Sequence, residues 1–531
     1  MVQEKRRIAH ATGVMAVATG ISRIAGLVRD MVIAAVFGAG YAADAFFVAF
    51  TIPNLLRRFF AEGSLTAAFV PTFAEVHHRD GIEASREVLR ICWTLMLLLL
   101  ATVTILGIVA SPWVVQVIGY GFAAVPGKLE LTDLLNRIMF PYIFFVSLVA
   151  LLAGVLNVRG HFLTPSLSPV LLNLAMIGSA LLLSPFFAQP IVALAVGVLL
   201  GGLVQLLMQI PVLYRNGFDL HLDFNFRHPS VRRISRLMVP GIVGVAIYQI
   251  NVVVTRLFAS LLQEGSVSWL YYGQRLFEFP QGIFVVSLAQ AVLPSMSRQL
   301  AGGDQNGFRE SLRFALALIL LITFPAAIGM AFCAEAIYSL FFLGGAFTAQ
   351  DVANSATALA WYAPGLVFVG ISRVVAPTFY ALQDTATPVR VSFWTLLVSI
   401  GCSAALMGPM QHDGLALALT LSSVFNAVTL LWLLKRRMGG VDLCGLPGFV
   451  LRLLPGLLAM SIVVAGLLGL VDWQVKGAFL GRFALLLGAV GGGAAAYAGG
   501  CWLCRVDEVK QGWKLVAERR LRRSGRDADD Q

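Results

Sequence analysis

Arg23, Arg29, Asp30, Asp44, Arg57, Arg58 and Glu62 fall in one stretch, Ile21–Gly63, whose other residues are mostly apolar. A charge near the centre of a bilayer costs about 2.5–3.5 kcal/mol on insertion scales. A protein that only had to sit in a membrane would not carry seven of them. Most must face a polar interior, and the surplus is cationic. A guanidinium presents a planar fork that makes two parallel charge-assisted hydrogen bonds to a phosphate. The chemistry this set suits is therefore the handling of an anionic cargo inside the membrane region. Arg275, Glu278 and Pro280 open a second, smaller group of the same kind further along the chain.

Spacing orders these residues. Arg23 and Asp30 are seven residues apart and share a helix face, whereas Arg29 lies off it unless Gly26 bends the helix. Arg57 and Arg58 lie on the order of 20 Å deeper than Asp44 by helical rise, past a Pro53 that removes an internal hydrogen bond. Arg58 and Glu62 stand one turn apart and can pair. Each charge also has a plainer reading. Arg57 and Arg58 can snorkel to the inner interface, and Arg256 and Arg373 favour snorkelling or a structural pair. Asp44 can cap its own helix. For Arg23, Arg29 and Arg275 a cavity lining is favoured over internal salt bridging.

The elements that position these side chains are membrane spans. The chain has 531 residues, of which 58% are hydrophobic and 13% charged, with a mean hydropathy of +0.82. A soluble domain carries about 25% charged residues, so the fold class is an all-α polytopic membrane protein. A span needs about 20 apolar residues. Fourteen such runs are expected, near 8–36, 41–75, 88–117, 132–157, 163–184, 190–213, 233–263, 269–299, 309–332, 352–380, 386–408, 414–436, 448–470 and 479–505. With Lys5, Arg6 and Arg7 cytoplasmic, these three, the even-numbered connections with their span ends, and the tail together hold 28 of the 39 Lys+Arg, against four on or near the outer side, Lys128, Arg137, Lys476 and Arg482. That bias is a positive-inside signal, and it places both termini in the cytoplasm. The net charge of +11 thus reflects topology and anionic lipid rather than nucleic acid.

Other motifs carry little. Residues 1–20 lack a small-x-small cleavage site and read as the first span, not a signal peptide. Six cysteines in or beside spans imply no disulfide framework, and Cys501-Trp-Leu-Cys504 reads as incidental spacing. The seven histidines form no ligand cluster; His77 and His78 read as solvated. No metal and no cofactor is expected. Asp384, near the inner end of the tenth span, is either a coupling carboxylate or, on balance, a loop-side cap.

The chain repeats itself at a constant register. Pro71 matches Pro294, Pro141 matches Pro364, Thr164-Pro165 matches Thr387-Pro388, and Ala193–Ala195 matches Ala416–Ala418, each 223 residues on. Six spans precede the second copy, and an even number preserves orientation. Two parallel six-helix lobes are expected, related by a pseudo-two-fold axis along the membrane normal, with two extra C-terminal helices. The lobes run over 1–230 and 231–437, the extra helices over 438–505, and a cytoplasmic tail over 506–531. Two-lobed transporters bind cargo between the lobes and expose it to each side in turn.

SRIAGLVRDMVIAAVFGAGYAADAFFVAFTIPNLLRRFFAEGSLTAAFVP closely resembles the start of the MurJ (MviN) family, as do GSVSWLYYGQRLFEFPQGIFVVSLAQAVLPSMS and APTFYALQDTATP their counterparts. The resemblance covers essentially the whole chain. It implies a lipid II flippase of the multidrug/oligosaccharidyl-lipid/polysaccharide exporter superfamily, moving the undecaprenyl-pyrophosphate-linked peptidoglycan precursor from the cytoplasmic to the periplasmic leaflet of the inner membrane. By that resemblance Arg23, Arg29, Arg57 and Arg275 line the central cavity and engage the pyrophosphate region. Asp30, Asp44, Arg58, Glu62, Ser268 and Glu278 are its supporting polar positions. The last two spans then form a groove for the prenyl tail. Gln274 and Thr51 depart from the family, where Asp and Lys often stand, which leaves protonation and ion coupling open.

The partners implied are lipid II, membrane lipids and peptidoglycan synthase machinery. A flippase for another polyprenyl-linked glycan shares the cationic cavity, and a cation-coupled drug exporter shares the lobes but favours acidic cavity residues. A membrane enzyme acting on polyprenyl pyrophosphate needs a catalytic base or a metal-binding acidic cluster; the acidic residues here are scattered among arginines, so no enzyme activity is expected.

Overall fold

A computed structural model describes residues 2–58, 65–438, 445–475 and 477–506. Glu62, one of the expected polar positions, lies outside the described residues. Seventeen α-helices are found among the described residues. In the first sequence copy they are α1 (Val2–Phe37), α2 (Tyr41–Arg57), α3 (Leu65–Arg79), α4 (Gly81–Ile118), α5 (Lys128–Met139), α6 (Tyr142–Val158), α7 (Leu163–Leu182) and α8 (Val192–Arg215). The second copy holds α9 (Pro229–Ser260), α10 (Ser266–Pro280), α11 (Val286–Ala301), α12 (Gln305–Phe341), α13 (Ala349–Tyr362), α14 (Gly365–Ala381) and α15 (Ala386–Arg437). Then come α16 (Gly445–Leu468) and α17 (Phe479–Leu503).

The helix ends repeat with the sequence. Tyr142–Val158 recurs 223 residues on as Gly365–Ala381, and the ends at Phe37, Arg57, Ile118 and Met139 recur at Ser260, Pro280, Phe341 and Tyr362. One set of breaks, written twice, sets the architecture. Between α10 and α11 the backbone widens into a π turn, Gln281–Val285, directly after Pro280. That is where a proline removes its hydrogen bond.

Among the described residues nine helical stretches, with α5–α6 and α10–α11 each counted as one, are long and apolar enough to cross a membrane, or ten when the bent pair α13–α14 counts as one span. The expected number was fourteen, and the difference has local causes. α2 and α3 have only 17 and 15 residues, with the undescribed stretch between them. α1 and α9 carry internal arginines. α15 counts once, yet its 52 residues hold a non-helical Gln411 at φ 52°, ψ −133°. Unbroken, at 1.5 Å per residue, that element would be about 78 Å long, more than twice the roughly 30 Å hydrocarbon core. The break at Gln411 falls between the eleventh and twelfth expected spans.

The chain divides into two compact units. One comprises the described residues through Ser268 together with Gly344–Phe347; the other comprises Trp269–Leu343 and the described residues from Thr348 onward. α9 opens the second copy in sequence but packs in the first unit. In that unit Phe69 and Phe73 of α3, Trp93 of α4 and Leu152 and Val155 of α6 build a core that also takes in Phe218. The turn Gly344–Phe347 docks there by donating the Ala346 N–H to Ala35 O at 2.8 Å. Gly38 (φ 67°) is needed at that contact, because a Cβ would stand 2.5 Å from Ala346 O. In the second unit Trp269 donates its indole N–H to Asp351 at 2.8 Å, and Asp351 closes a capping box with Thr348 at the start of α13. Tyr497 ties α17 to α12 through a 2.9 Å hydrogen bond to Leu321 O.

Candidate substrate-binding residues

α1 delivers Arg29 and Asp30 into the interior of the first unit, 5% and 1% exposed. The Arg29 guanidinium donates Nε and Nη2 to Asp30 Oδ1 at 3.0 and 2.6 Å, and Nη1 to Asn173 Oδ1 on α7 at 3.1 Å. Asn173 is fixed in turn, donating to Ser22 O at 3.3 Å. Successive helix positions point about 100° apart, yet a side chain as long as arginine folds back onto its neighbour. Spacing alone does not show that. The result is a zwitterionic group whose cation is already oriented. Arg23 is half-buried on the same helix.

On α2, Arg57 donates Nε and Nη2 to Asn54 Oδ1 at 3.1 and 2.9 Å. The Asn54 amide thus orients the fork. Arg58 follows as the half-buried C-terminal cap of α2. In the second unit Arg275 lies on α10 with its side chain 42% exposed, 3.3 Å from Glu278 one turn on. The described residues thus bring Arg29 and Asp30 together, and Arg275 and Glu278 together.

Asp44 and Ser268 have a different setting from the other polar positions. Asp44 accepts from Lys128 Nζ at 3.0 Å, Gly265 N at 2.8 Å, Ser268 N at 3.0 Å and Ser268 Oγ at 2.7 Å. It caps the first turn of α10 rather than its own helix. Lys128, which sequence reasoning counted with the outer charges, is 2% exposed and also lies 4.4 Å from the Phe122 ring centroid. Its signal was Gly127 at φ 76°, the turn that opens α5. Asn173, also missed, was visible only as one amide in an otherwise apolar span. Arg256 does not snorkel: it is 8% exposed and donates to Val267 O at 3.2 Å.

At the α14–α15 turn Asp384 accepts from Thr387 N at 2.9 Å and Thr387 Oγ1 at 2.7 Å and pairs with Arg437. Those hydrogen bonds, and then Arg437, hold its carboxyl below the usual range. It is the cap of the two readings. At the end of α3, His77 is not simply solvated. Ser85 Oγ gives its proton to Gly81 O, so it accepts from His77 Nδ1 at 3.0 Å, leaving Nε2 to accept from Arg159 at 3.1 Å. Burial first, then Arg159 and His78, push the imidazole below its ordinary value. A depressed native pKa supplies stability above the unfolded value of about 6.5, and loses it as pH falls through the native one. Thermal unfolding followed between pH 7.5 and 5.5 should therefore show a midpoint that falls with pH, and His77→Gln should flatten that slope.

The model of the family described as lipid II flippase MurJ matches residues 33–483. A probable lipid II flippase MurJ of Vibrio cholerae is 38% identical over 436 residues, covering 81% of this chain and 83% of the relative. The lipid II flippase MurJ of Burkholderia cenocepacia is 35% identical over 494 residues, covering 91% and 95%. Among solved structures, a lipid II flippase MurJ in an inward closed conformation superposes with a TM-score of 0.74 at 25% identity, over 93% of this chain and 99% of that one. An inward-facing multidrug-resistance transporter of the MATE family superposes at 0.68 and 15% identity, over 81% and 98%, which shows a shared fold. A multi-pass helical protein matched over nearly its whole length in this way belongs to the lipid II flippase MurJ family.

Proposed function

We propose that this chain moves lipid II from the cytoplasmic to the periplasmic leaflet of the bacterial inner membrane by alternating access, with both termini cytoplasmic. The family match over residues 33–483 carries the reading. Arg23, Arg29, Arg57 and Arg275, contributed by both sequence copies, take the pyrophosphate; Asp30 and Glu278 hold two of these cations ready and are displaced by the stronger anion. Residues 1–230 and 231–437 act as the two lobes, α16 and α17 guide the prenyl tail, and peptidoglycan synthases consume the product. The reaction is transport, with no covalent step. The deciding experiment is reconstitution: labelled lipid II should become accessible in the far leaflet only of vesicles holding this protein. Equal transport of an unrelated polyprenyl-linked glycan, with lipid II left behind, favours the wider glycan-flippase reading.

The charge of the cargo sets the energy source. Moving one charge across the membrane is worth about 2.3 kcal/mol per 100 mV. With the cytoplasm negative, outward movement of a polyanionic head group is downhill without a coupled ion. Clamping the vesicle potential to zero with valinomycin and balanced potassium should slow flipping by at least about tenfold. An unchanged rate refutes electrophoretic drive.

A further inference from the structure

The connection from α8 to α9 is not a slack linker. It runs along α4, held at three successive turns: Arg86 donates to Gly217 O, Arg90 engages both carboxylate oxygens of Asp219, and Thr94 Oγ1 accepts from Asp223 N at 2.8 Å. Arg90, and after it His221, holds the Asp219 carboxyl well below the usual range. Arg90 is the last charged residue of α4, so Thr94 lies one turn towards the membrane interior from that helix's polar end. The connection therefore climbs about 12 Å along α4 between Arg86 and Thr94.

Its side chains alternate. Phe218, Leu220, Leu222, Phe224 and Phe226 are separated by polar residues. Phe218 is 1% exposed, whereas Leu222 and Phe224 are 60% and 62% exposed at the level the segment has reached. Part of the backbone there is satisfied without a second strand: Asn225 N donates to Asp223 Oδ1 at 2.9 Å, Phe226 N to Phe224 O at 2.8 Å and His228 N to Asn225 O at 3.1 Å. In the sequence on either side of the pair Arg215, Arg227, Arg232 and Arg236 are exposed, while Arg233 pairs with Glu75 at 2.7 Å.

We propose that residues 216–228 are an inner-leaflet anchor, in which Leu222 and Phe224 enter the headgroup–acyl boundary and Arg227, Arg232 and Arg236 take the phosphates of anionic phospholipids. The exposed apolar pair and the cationic flank together match a bilayer interface. The choice of leaflet rests on the topology proposed above; the anchoring does not depend on what is transported. The test is hydrogen–deuterium exchange of the full chain in two nanodiscs, one of phosphatidylcholine and one also carrying phosphatidylglycerol. Amides of 222–226 should exchange roughly fivefold more slowly in the anionic disc, and the triple variant R227Q/R232Q/R236Q should remove that difference. Phe224→Asp should speed exchange in both discs while α4 stays protected. Equal exchange of the native chain in the two discs, or a lipid effect that survives the triple variant, overturns the anchor. Because flipping is not read, failure of the lipid II assay leaves this result standing, and the converse holds too.

Discussion

Replacing Asp44 with alanine should destabilise the protein by about 3–5 kcal/mol, the cost of leaving a buried charge uncompensated. The reason is local. Asp44 is 1% exposed and Lys128 2%, and four hydrogen bonds converge on the carboxylate. Its removal strands the ammonium on the Phe122 and Tyr41 rings, at 4.4 and 5.7 Å. Two backbone N–H groups of the first turn of α10 lose their acceptor as well. Lys128→Met should cost less, since the carboxylate keeps Gly265 and Ser268. The double variant Asp44→Ala/Lys128→Met should recover part of the Asp44→Ala loss, and a thermal-unfolding cycle of the four proteins in detergent measures the coupling. If Asp44→Ala melts with the native chain, the carboxylate is not a structural clamp and its four contacts carry no net stability.

This clamp also marks where the sequence stopped being legible. The elements could be read because their causes are local: prolines at a fixed offset of 223 announced a repeat, and helix ends do recur at that offset. The break at Gln411 was expected from the gap between two apolar runs. Charge partners were not readable in the same way. Asp44 meets Lys128 across 84 residues and Gly265 across 221, and nothing in either neighbourhood encodes the other. Position along the chain put Lys128 on or near the outer side, which says nothing of the packing that buries it against the Phe122 ring. Arg29 and Asp30 failed differently: they are adjacent, and the helical wheel separated them, but the reach of a guanidinium exceeds the separation of their Cβ atoms. Helix faces predict where a side chain starts, and only the fold shows where its charge ends.

That distinction shapes the arginine variants. Arg275 tests the second copy, where its side chain is 42% exposed and its pairing with the part-exposed Glu278 is of a kind worth little to stability. Arg275→Ala should keep its membrane abundance while flipping falls by about 10–100-fold, the loss of one charge-assisted hydrogen-bonding group worth roughly 1.5–3 kcal/mol. Arg29→Ala should be as damaging to transport but for two reasons, since it also strands Asp30 at 1% exposure. The variant Arg29→Ala/Asp30→Asn separates them: it removes the stranded charge, so abundance should return while transport does not. Arg29→Lys should rescue only in part, because a point charge cannot hold Asp30 and Asn173 in the fork that the guanidinium makes. Growth of cells relying on each variant, read beside immunoblots of the membrane fraction and the rate of lipid II flipping in vesicles, decides the matter. Normal growth with alanine at both positions would show these arginines to be structural, and the anion path would then have to run through Arg23, Arg57 and the exposed Arg373 of α14.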